Sequence, residues 1–252
     1  MFKKFIKNIF SQSIYNFIVK IVFLFKQINL EIKLQNLNFF IYVLKNFFFS
    51  KSQINQELVA LFLTKEHQKK NGYFVEVGAC DGITLSNSYL LEKKFGWKGL
   101  LCEPSKFFLK KLKKNRISKI ETKIVLNKSG KIMTFIDTQI PELSTIESQK
   151  FTDVHSGIRK TKTKYKKKTI TLNDLFYKHK VPKKIDFMTI DTEGSEYEIL
   201  KNFNYKKYYI RTIICEHNFN KNRSKIKRLL EKNGYIRKYT KISFFDDWYF
   251  KK

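Results

Sequence analysis

The chain has 252 residues, 42% of them hydrophobic and 16% aromatic, which excludes a disordered or collagen-like polymer and allows one sizeable core with an appendage. Its formal net charge of +29 invites an anionic partner, yet only six of the 51 basic residues are arginine and lysine, asparagine, isoleucine and phenylalanine all abound. That mixture also fits the codon bias of an AT-rich genome, so the charge alone does not establish a nucleic-acid partner.

The first 49 residues differ from the rest and read as a basic, amphipathic, helical extension. Phe2, Phe5, Ile6, Ile9, Phe10, Phe17, Ile18, Ile21, Leu24, Phe25 and Ile28 fall at helical steps of three and four. Their longest apolar run, 21–25, is too short to span a bilayer. Lys20 splits the segment and no small-residue cleavage site follows, which argues against a signal peptide. Residues 1–28 therefore read either as a helix lying on an anionic membrane or as a helix packed on the main domain or on a partner subunit. Cys80, Cys102 and Cys215 are odd in number and lack metal-ligand spacing; a reducing compartment follows, so the expected location is cytoplasmic or peripheral at the membrane.

From residue 50 to 252 the pattern becomes strand, loop, helix, repeated. "YFVEV" is a strand, "TLSNSYLLEKKF" a helix, "WKGLLCEP" a second strand, "SKFFLKKLKKNR" a second helix and "IETKIVLN" a third strand. A polar middle at 137–168 follows, holding Ser144, His155 and a lysine cluster. Thr171 and Asp174 read as a capping box ahead of "LFYKH". "IDFMTI" and "RTIICE" are two further buried strands, with the short helix "SEYEILKNF" between them. A helix "SKIKRLLEKNGY" and strands around "IRKYT" and "DWYF" close the chain. Strands alternating with helices predict an α/β fold with a mostly parallel sheet covered on both faces.

The turn "FVEVGACDGITLSN" carries the most chemistry. A dinucleotide loop needs Gly-x-Gly-x-x-Gly so that backbone can approach a pyrophosphate. Here Gly78 and Gly82 remain without a middle glycine, and Glu76 and Asp81 stand beside them. Carboxylates would repel a pyrophosphate but suit an ammonium-bearing nucleoside. Glu103 follows Gly82 by 21 residues at the end of the second strand, where an acid accepts hydrogen bonds from ribose hydroxyls. The turn and the acid could instead be purely structural, a tight strand-to-helix connection and a helix cap.

At these residues the chain resembles the FkbM-type methyltransferases. "FVEVGACDGITLSNSYLLEKKFGWKGLLCEPS", "IDFMTIDTEGSEYEILKNF", "CEHNFNKNR" and "FDDWY" carry the resemblance, in the expected order over about residues 50–251. Cys80 departs from the smaller or amide side chain commoner there, and residues 1–49 lie outside the match. The resemblance implies a Rossmann-like class I methyltransferase sheet with its last strand antiparallel. It also implies S-adenosylmethionine as cofactor and a hydroxyl, often of a sugar in a glycan or glycolipid, as acceptor. Glu76, Gly78, Asp81, Gly82, Ser86, Glu103 and Asn127 are the expected cofactor residues, Ser144 and Asn218 the expected acceptor residues. His217 is the first candidate for a general base, since an unperturbed imidazole titrates near neutrality, or it binds the acceptor or orders its loop instead; Asp191 and Glu193 are the other candidate bases. One short acidic pair is poor grounds for a metal site, and none is expected.

Three rival classes fare less well. A nicotinamide enzyme wants a Tyr-x-x-x-Lys pair, and Tyr89 with Lys93 sits inside the first helix; a glycosyltransferase wants Asp-x-Asp, which the sequence lacks. The alternative that stays open is an RNA-binding protein or a nucleic-acid methyltransferase using "RKTKTKYKKK" at 159–168. That run offers only Tyr165 for stacking on bases.

Overall fold

A computed structural model of the chain describes residues 14, 17–22, 24–25, 37–65, 70–149 and 155–252. The expectations for residues 1–13 lie outside that set. A helical stretch covers 17–22 and 24–25, followed by α1 (Leu37–Asn46) and α2 (Gln56–Leu63). The predicted alternation then appears as β1 (Tyr73–Val77), α3 (Tyr89–Lys93), β2 (Lys98–Cys102), α4 (Lys106–Asn115) and β3 (Lys119–Glu121). Four strands come next, β4 (Ile124–Val125), β5 (Ile132–Thr138), β6 (Thr145–Ile146) and β7 (Thr161–Ile170). The last third holds α5 (Leu172–Lys178), β8 (Lys184–Ile190), α6 (Glu196–Leu200), β9 (Tyr209–Glu216), α7 (Arg223–Lys232), β10 (Tyr235–Lys238) and β11 (Asp246–Lys251).

The main sheet has the order β10-β11-β9-β8-β1-β2-β3. The pairs β3–β2, β2–β1, β1–β8 and β8–β9 are parallel, and β11 runs antiparallel to both β9 and β10. This is the mostly parallel sheet that the strand–helix alternation predicts, with the antiparallel last strand that the family resemblance implies. Strand periodicity sorts its apolar residues into two layers. Val75, Leu100, Met188 and Ile213 face one side, with Phe176, Leu200 and Leu230 from the helices. Phe74, Leu101, Phe187, Ile214 and Trp248 face the other, with Leu58, Leu61, Leu90 and Leu112. Leu24, Val43 and Phe47 join that second layer, so the described part of the N-terminal segment helps bury the sheet. Lys20 fastens it by donating to the carbonyls of Phe47, at 3.0 Å, and Ser50.

Four predicted features differ. The helix expected over 84–95 forms only at α3, because Leu85 takes a left-handed φ of 59° and the hydroxyls of Ser86 and Ser88 are drawn to Glu76. "IETKIVLN" splits into β3 in the main sheet and β4 in another. That other sheet, β4-β7-β5-β6, takes β6 and most of β7 from the stretch read as a polar middle and β4 and most of β5 from the residues before it. The capping box is half formed: Thr171 Oγ1 accepts from Asp174 N at 3.1 Å, while Thr171 N finds Ser129 Oγ at 2.9 Å instead of the Asp174 carboxylate.

Candidate active site

The strand order reverses between β1 and β8, and an open α/β sheet binds its ligands outside the carboxyl ends of the strands at that point. A cavity of about 400 Å³ lies there, within the range of ~300–1,000 Å³ usual for small-molecule sites. Gly78, Ser86, Glu103, Ser144, Asp191, Glu193 and Asn218 all line it. The structure thus brings together seven of the residues singled out in the sequence, from elements up to 140 positions apart (Gly78 to Asn218).

The end of β1 is held against its neighbours by backbone. Gly78 N and Ala79 N donate to Cys102 O at 2.9 and 3.2 Å, and Asp191 N donates to Val77 O at 2.9 Å. Gly78 has φ +93°, and a Cβ there would stand 1.8 Å from the Asp191 carbonyl oxygen. Only glycine lets the two switch-point loops meet so closely. Glu103 joins the same turn: its carboxylate accepts from Cys80 N and Ser105 N, both at 2.7 Å. Each oxygen keeps acceptor capacity for a ligand hydroxyl. Burial lifts the Glu103 carboxyl to about 7 against the pull of those two amides.

The loop after β8 is ordered by Glu196, which accepts from Thr192 N at 3.1 Å, Thr192 Oγ1 at 2.9 Å and Gly194 N at 2.9 Å. It presents Asp191 and Glu193 to the cavity, and Glu216 arrives from the end of β9. One carboxylate oxygen from each lies within 4.8 Å of the others. Burial first, then the charges of Asp191 and Glu193, push the Glu216 carboxyl well above its usual range. Arg159 neutralises Glu193 in a buried ion pair, and its Nε also donates to Leu143 O at 3.1 Å. Asn218 Nδ2 reaches Glu193 Oε2 at 3.4 Å. The small sheet is pinned over this loop by Thr145 Oγ1, which donates to Glu193 O at 3.2 Å. Its segments contribute Phe135, Ile140, Ser144, Ile146 and His155 to the walls.

Five expected site residues are not at the cavity. Glu76 points beneath the loop, where its carboxylate accepts from Ser88 Oγ at 2.6 Å, Asn87 N at 2.8 Å and Ser86 Oγ at 3.0 Å, 3.6 Å from Arg116. Asp81 closes an Asx turn on Ile83 N and Thr84 N. Gly82, at φ +80°, packs against Arg116, whose Cγ would lie 2.6 Å from a Cβ there. Asn127 bonds Glu198 and, through its carbonyl, Asn202.

His217, the first candidate base, is the fifth. Its Nδ1 accepts from Phe219 N at 3.0 Å, and its Nε2 lies 3.8 Å from Asp247 Oδ1, which Arg223 and Arg237 also clamp. Burial holds the imidazole down at about 4 despite Asp247. The reason is strand alternation: Glu216 turns into the cavity, so its neighbour turns away. Glu216, His155 and Arg159 were visible in the sequence but were not among the expected site residues. Arg159 carried a usable signal, as one of six arginines among 51 basic residues.

The cavity wall includes five carboxylates, Glu103, Glu142, Asp191, Glu193 and Glu216, and among the described residues no lysine or arginine lines it. In a chain of net charge +29 this is a pronounced separation. It suits a cationic or neutral ligand and opposes a phosphate.

A family model described as Methyltransferase FkbM domain matches residues 76–240. A solved structure titled delta-N METTL16 MTase domain is similar at 13% sequence identity and a TM-score of 0.40, over 77% of this chain and 78% of that chain. No curated protein matches.

Proposed function

This chain belongs to the FkbM methyltransferase family, and on that premise we propose that it is an S-adenosylmethionine-dependent O-methyltransferase acting on a sugar hydroxyl of a glycan or glycolipid. The observation that carries the proposal is the wall of five carboxylates without a lysine or arginine. S-adenosylmethionine brings a sulfonium and an ammonium and no phosphate, so its charges complement that wall. Nicotinamide cofactors, sugar nucleotides and nucleic-acid backbone all bring phosphates and meet repulsion there. The donor set also fits the nucleoside half: Glu103 offers free lone pairs beside the backbone of Gly78 and Cys80.

When bound, the cofactor supplies a methyl already activated by positive charge. The protein's part is to hold the acceptor oxygen in line with that methyl, which is worth several orders of magnitude in rate, and to take up the hydroxyl proton. Asp191 is the residue we assign to the proton. It lines the cavity, and it sits in a cluster where three acids face one arginine. Crowded carboxylates raise one another's proton affinity, as they do at Glu216, and a carboxylate within reach of the acceptor can take up a hydroxyl proton. Glu193 is a weaker choice because Arg159 already occupies it. The acceptor side is mostly apolar and aromatic, with Phe219, Phe244 and Phe245 along one wall. Phe219 stands 5.8 Å from Phe244 and is 56% exposed, a surface suited to the apolar face of a sugar ring.

The test is transfer of a labelled methyl group from S-adenosylmethionine to glycolipid, free-glycan and RNA fractions, alongside calorimetry of cofactor binding. Label in a carbohydrate fraction supports the reading. Label in RNA alone, or a folded chain that binds no S-adenosylmethionine, overturns it.

A further inference from the structure

Exposed apolar side chains recur along the described part of the N-terminal segment. Phe17, Val22 and Phe25 of the N-terminal helical stretch are 48%, 42% and 66% exposed, and Ile41, Leu44 and Phe48 of α1 and its C-terminal turn are 39%, 48% and 77% exposed. Ile41, Leu44 and Phe48 are spaced three and four apart and share one helix face. The two groups adjoin, since Phe17 packs edge-on to Phe47 at 6.4 Å and Phe47 to Phe48 at 5.4 Å. The opposite sides of the same helices, at Leu24 and Val43, are buried. The segment is therefore folded in place with an apolar face left outward, the mark of an interaction surface.

Charge says what covers it. Residues 1–51 carry eight lysines against one acid, Glu31. Lys45 and Lys51 are exposed, and Lys94 Nζ lies 4.1 Å over the Phe49 ring while donating to Lys45 O at 3.4 Å. Aromatic and basic side chains side by side are the makings of an interfacial anchor. A second copy would bring the same positive face and the same net charge, and the two would repel. Among the described residues no helix is long and apolar enough to cross a membrane. The surface also lies at the cavity: Val19, between Phe17 and Val22, lines it together with Phe219.

We propose that this face docks on an anionic lipid bilayer, lying in the interface, and sets the mouth of the cavity at the membrane surface. The consequence for the acceptor rests on the methyl-transfer reading: the hydroxyl presented there is carried on a lipid. The experiment is flotation of the full chain with phosphatidylcholine vesicles, with and without phosphatidylglycerol. Expected are binding to the anionic vesicles only, weakening with salt, and a loss of about tenfold or more in partitioning for Phe48→Ser. Lys45→Glu/Lys51→Glu should lose binding as well, a second route should the serine variant fold poorly. Calorimetric affinity for S-adenosylmethionine should be unchanged in both. A chain that stays unbound at low salt, or variants that bind like the parent, would overturn the proposal. So would a dimer in light scattering that Phe48→Ser abolishes. Vesicle binding without methyl transfer would refute the methyl-transfer reading and leave the docking surface standing.

Discussion

Arg116 is the residue whose removal tests the most of this structure at once. It stands at the end of α4 with its side chain fully buried, 3.0 Å from Glu92 and 3.6 Å from Glu76. It also donates to Gly82 O at 3.1 Å, Ser86 Oγ at 3.1 Å, and Ser88 Oγ and O at 2.9 and 3.3 Å. One guanidinium thus balances two buried acids and ties the loop that forms one wall of the cavity. Arg116→Met fills similar space but leaves the acids unbalanced, a change that costs about 3–5 kcal/mol when a buried pair is broken. For a chain of this size that lowers Tm by roughly 6–20 °C, at ~2–4 °C per kcal/mol. Arg116→Lys should rescue little, since a lysine cannot serve four directions. The deficit should also depend on pH. Burial pushes Glu92 up, but Ser118 and Arg116 outweigh it and hold the carboxyl below its usual range. The stability that Glu92 gives is then present above its unfolded pKa and lost as pH falls. Burial outweighs Arg116 at Glu76, which is raised, so its cost is felt at high pH and more so without the arginine. Both signs make the gap between parent and variant narrow on acidification. Urea unfolding at a series of pH values measures it. A neutral-pH deficit under about 1 kcal/mol, well below the cost of an orphaned buried charge, would refute the clamp.

Three further outcomes concern the chemistry. Glu103→Ala should lose most affinity for S-adenosylmethionine while keeping its circular dichroism. In the parent, affinity should fall as pH drops through about 7, where Glu103 takes up a proton; calorimetry giving a flat profile would remove Glu103 from the ribose. Asp191→Asn should lower kcat about 10²–10⁴-fold, the usual worth of a general base, with cofactor affinity little changed, and the parent's kcat should rise with pH as the carboxylate cluster ionises. Unchanged kcat in that variant would reassign the proton, with His155 next in line at the cavity wall. His217→Asn should keep kcat within a fewfold of the parent, because the ring faces Asp247; a collapse of kcat with KM unchanged would show that the ring turns to the cavity during turnover.

What the sequence disclosed and what it hid follow from how each signal arises. The five parallel strands were readable because a strand buried on both faces is a continuous apolar run, as in "IDFMTI". Strand β7 was not. Its sequence "TKTKYKKKTI" buries only Thr169 and Ile170, so no apolar alternation marked it. The cavity was legible to the level of strand ends and no further. Glu103 and Asp191 follow the last residue of their strands and line the cavity, and so does Glu216, the last residue of its own strand, while His217 beside it does not. Which of two polar neighbours faces a ligand is set by pleat phase, and a run of polar residues hides that phase. Arginine was the missed clue. In a chain that uses lysine almost everywhere, Arg116, Arg159, Arg223 and Arg237 each pair with a carboxylate at or near full burial. A planar fork is needed at such places and composition bias does not override it.

The distribution of charge also limits what can react here. A phosphate drawn to the lysine-rich exterior gains from its field, but one that follows the acceptor inward meets Asp191, Glu193 and Glu216 within 4.8 Å of one another. Each unneutralised like charge at about 4 Å opposes it by ~4 kcal/mol at an effective dielectric of ~20. Arg159 pairs with one of the three, which leaves Asp191 and Glu216 to oppose any anion that enters the cavity. On the sugar-acceptor reading proposed above, an acceptor carrying phosphate is a substrate only if the phosphate stays outside the cavity while a neutral sugar enters. A lipid-linked glycan held at the bilayer meets that condition, because its charged linkage remains in the headgroup layer. A free sugar phosphate, small enough to enter whole, does not, and should react far more slowly than the same sugar without its phosphate.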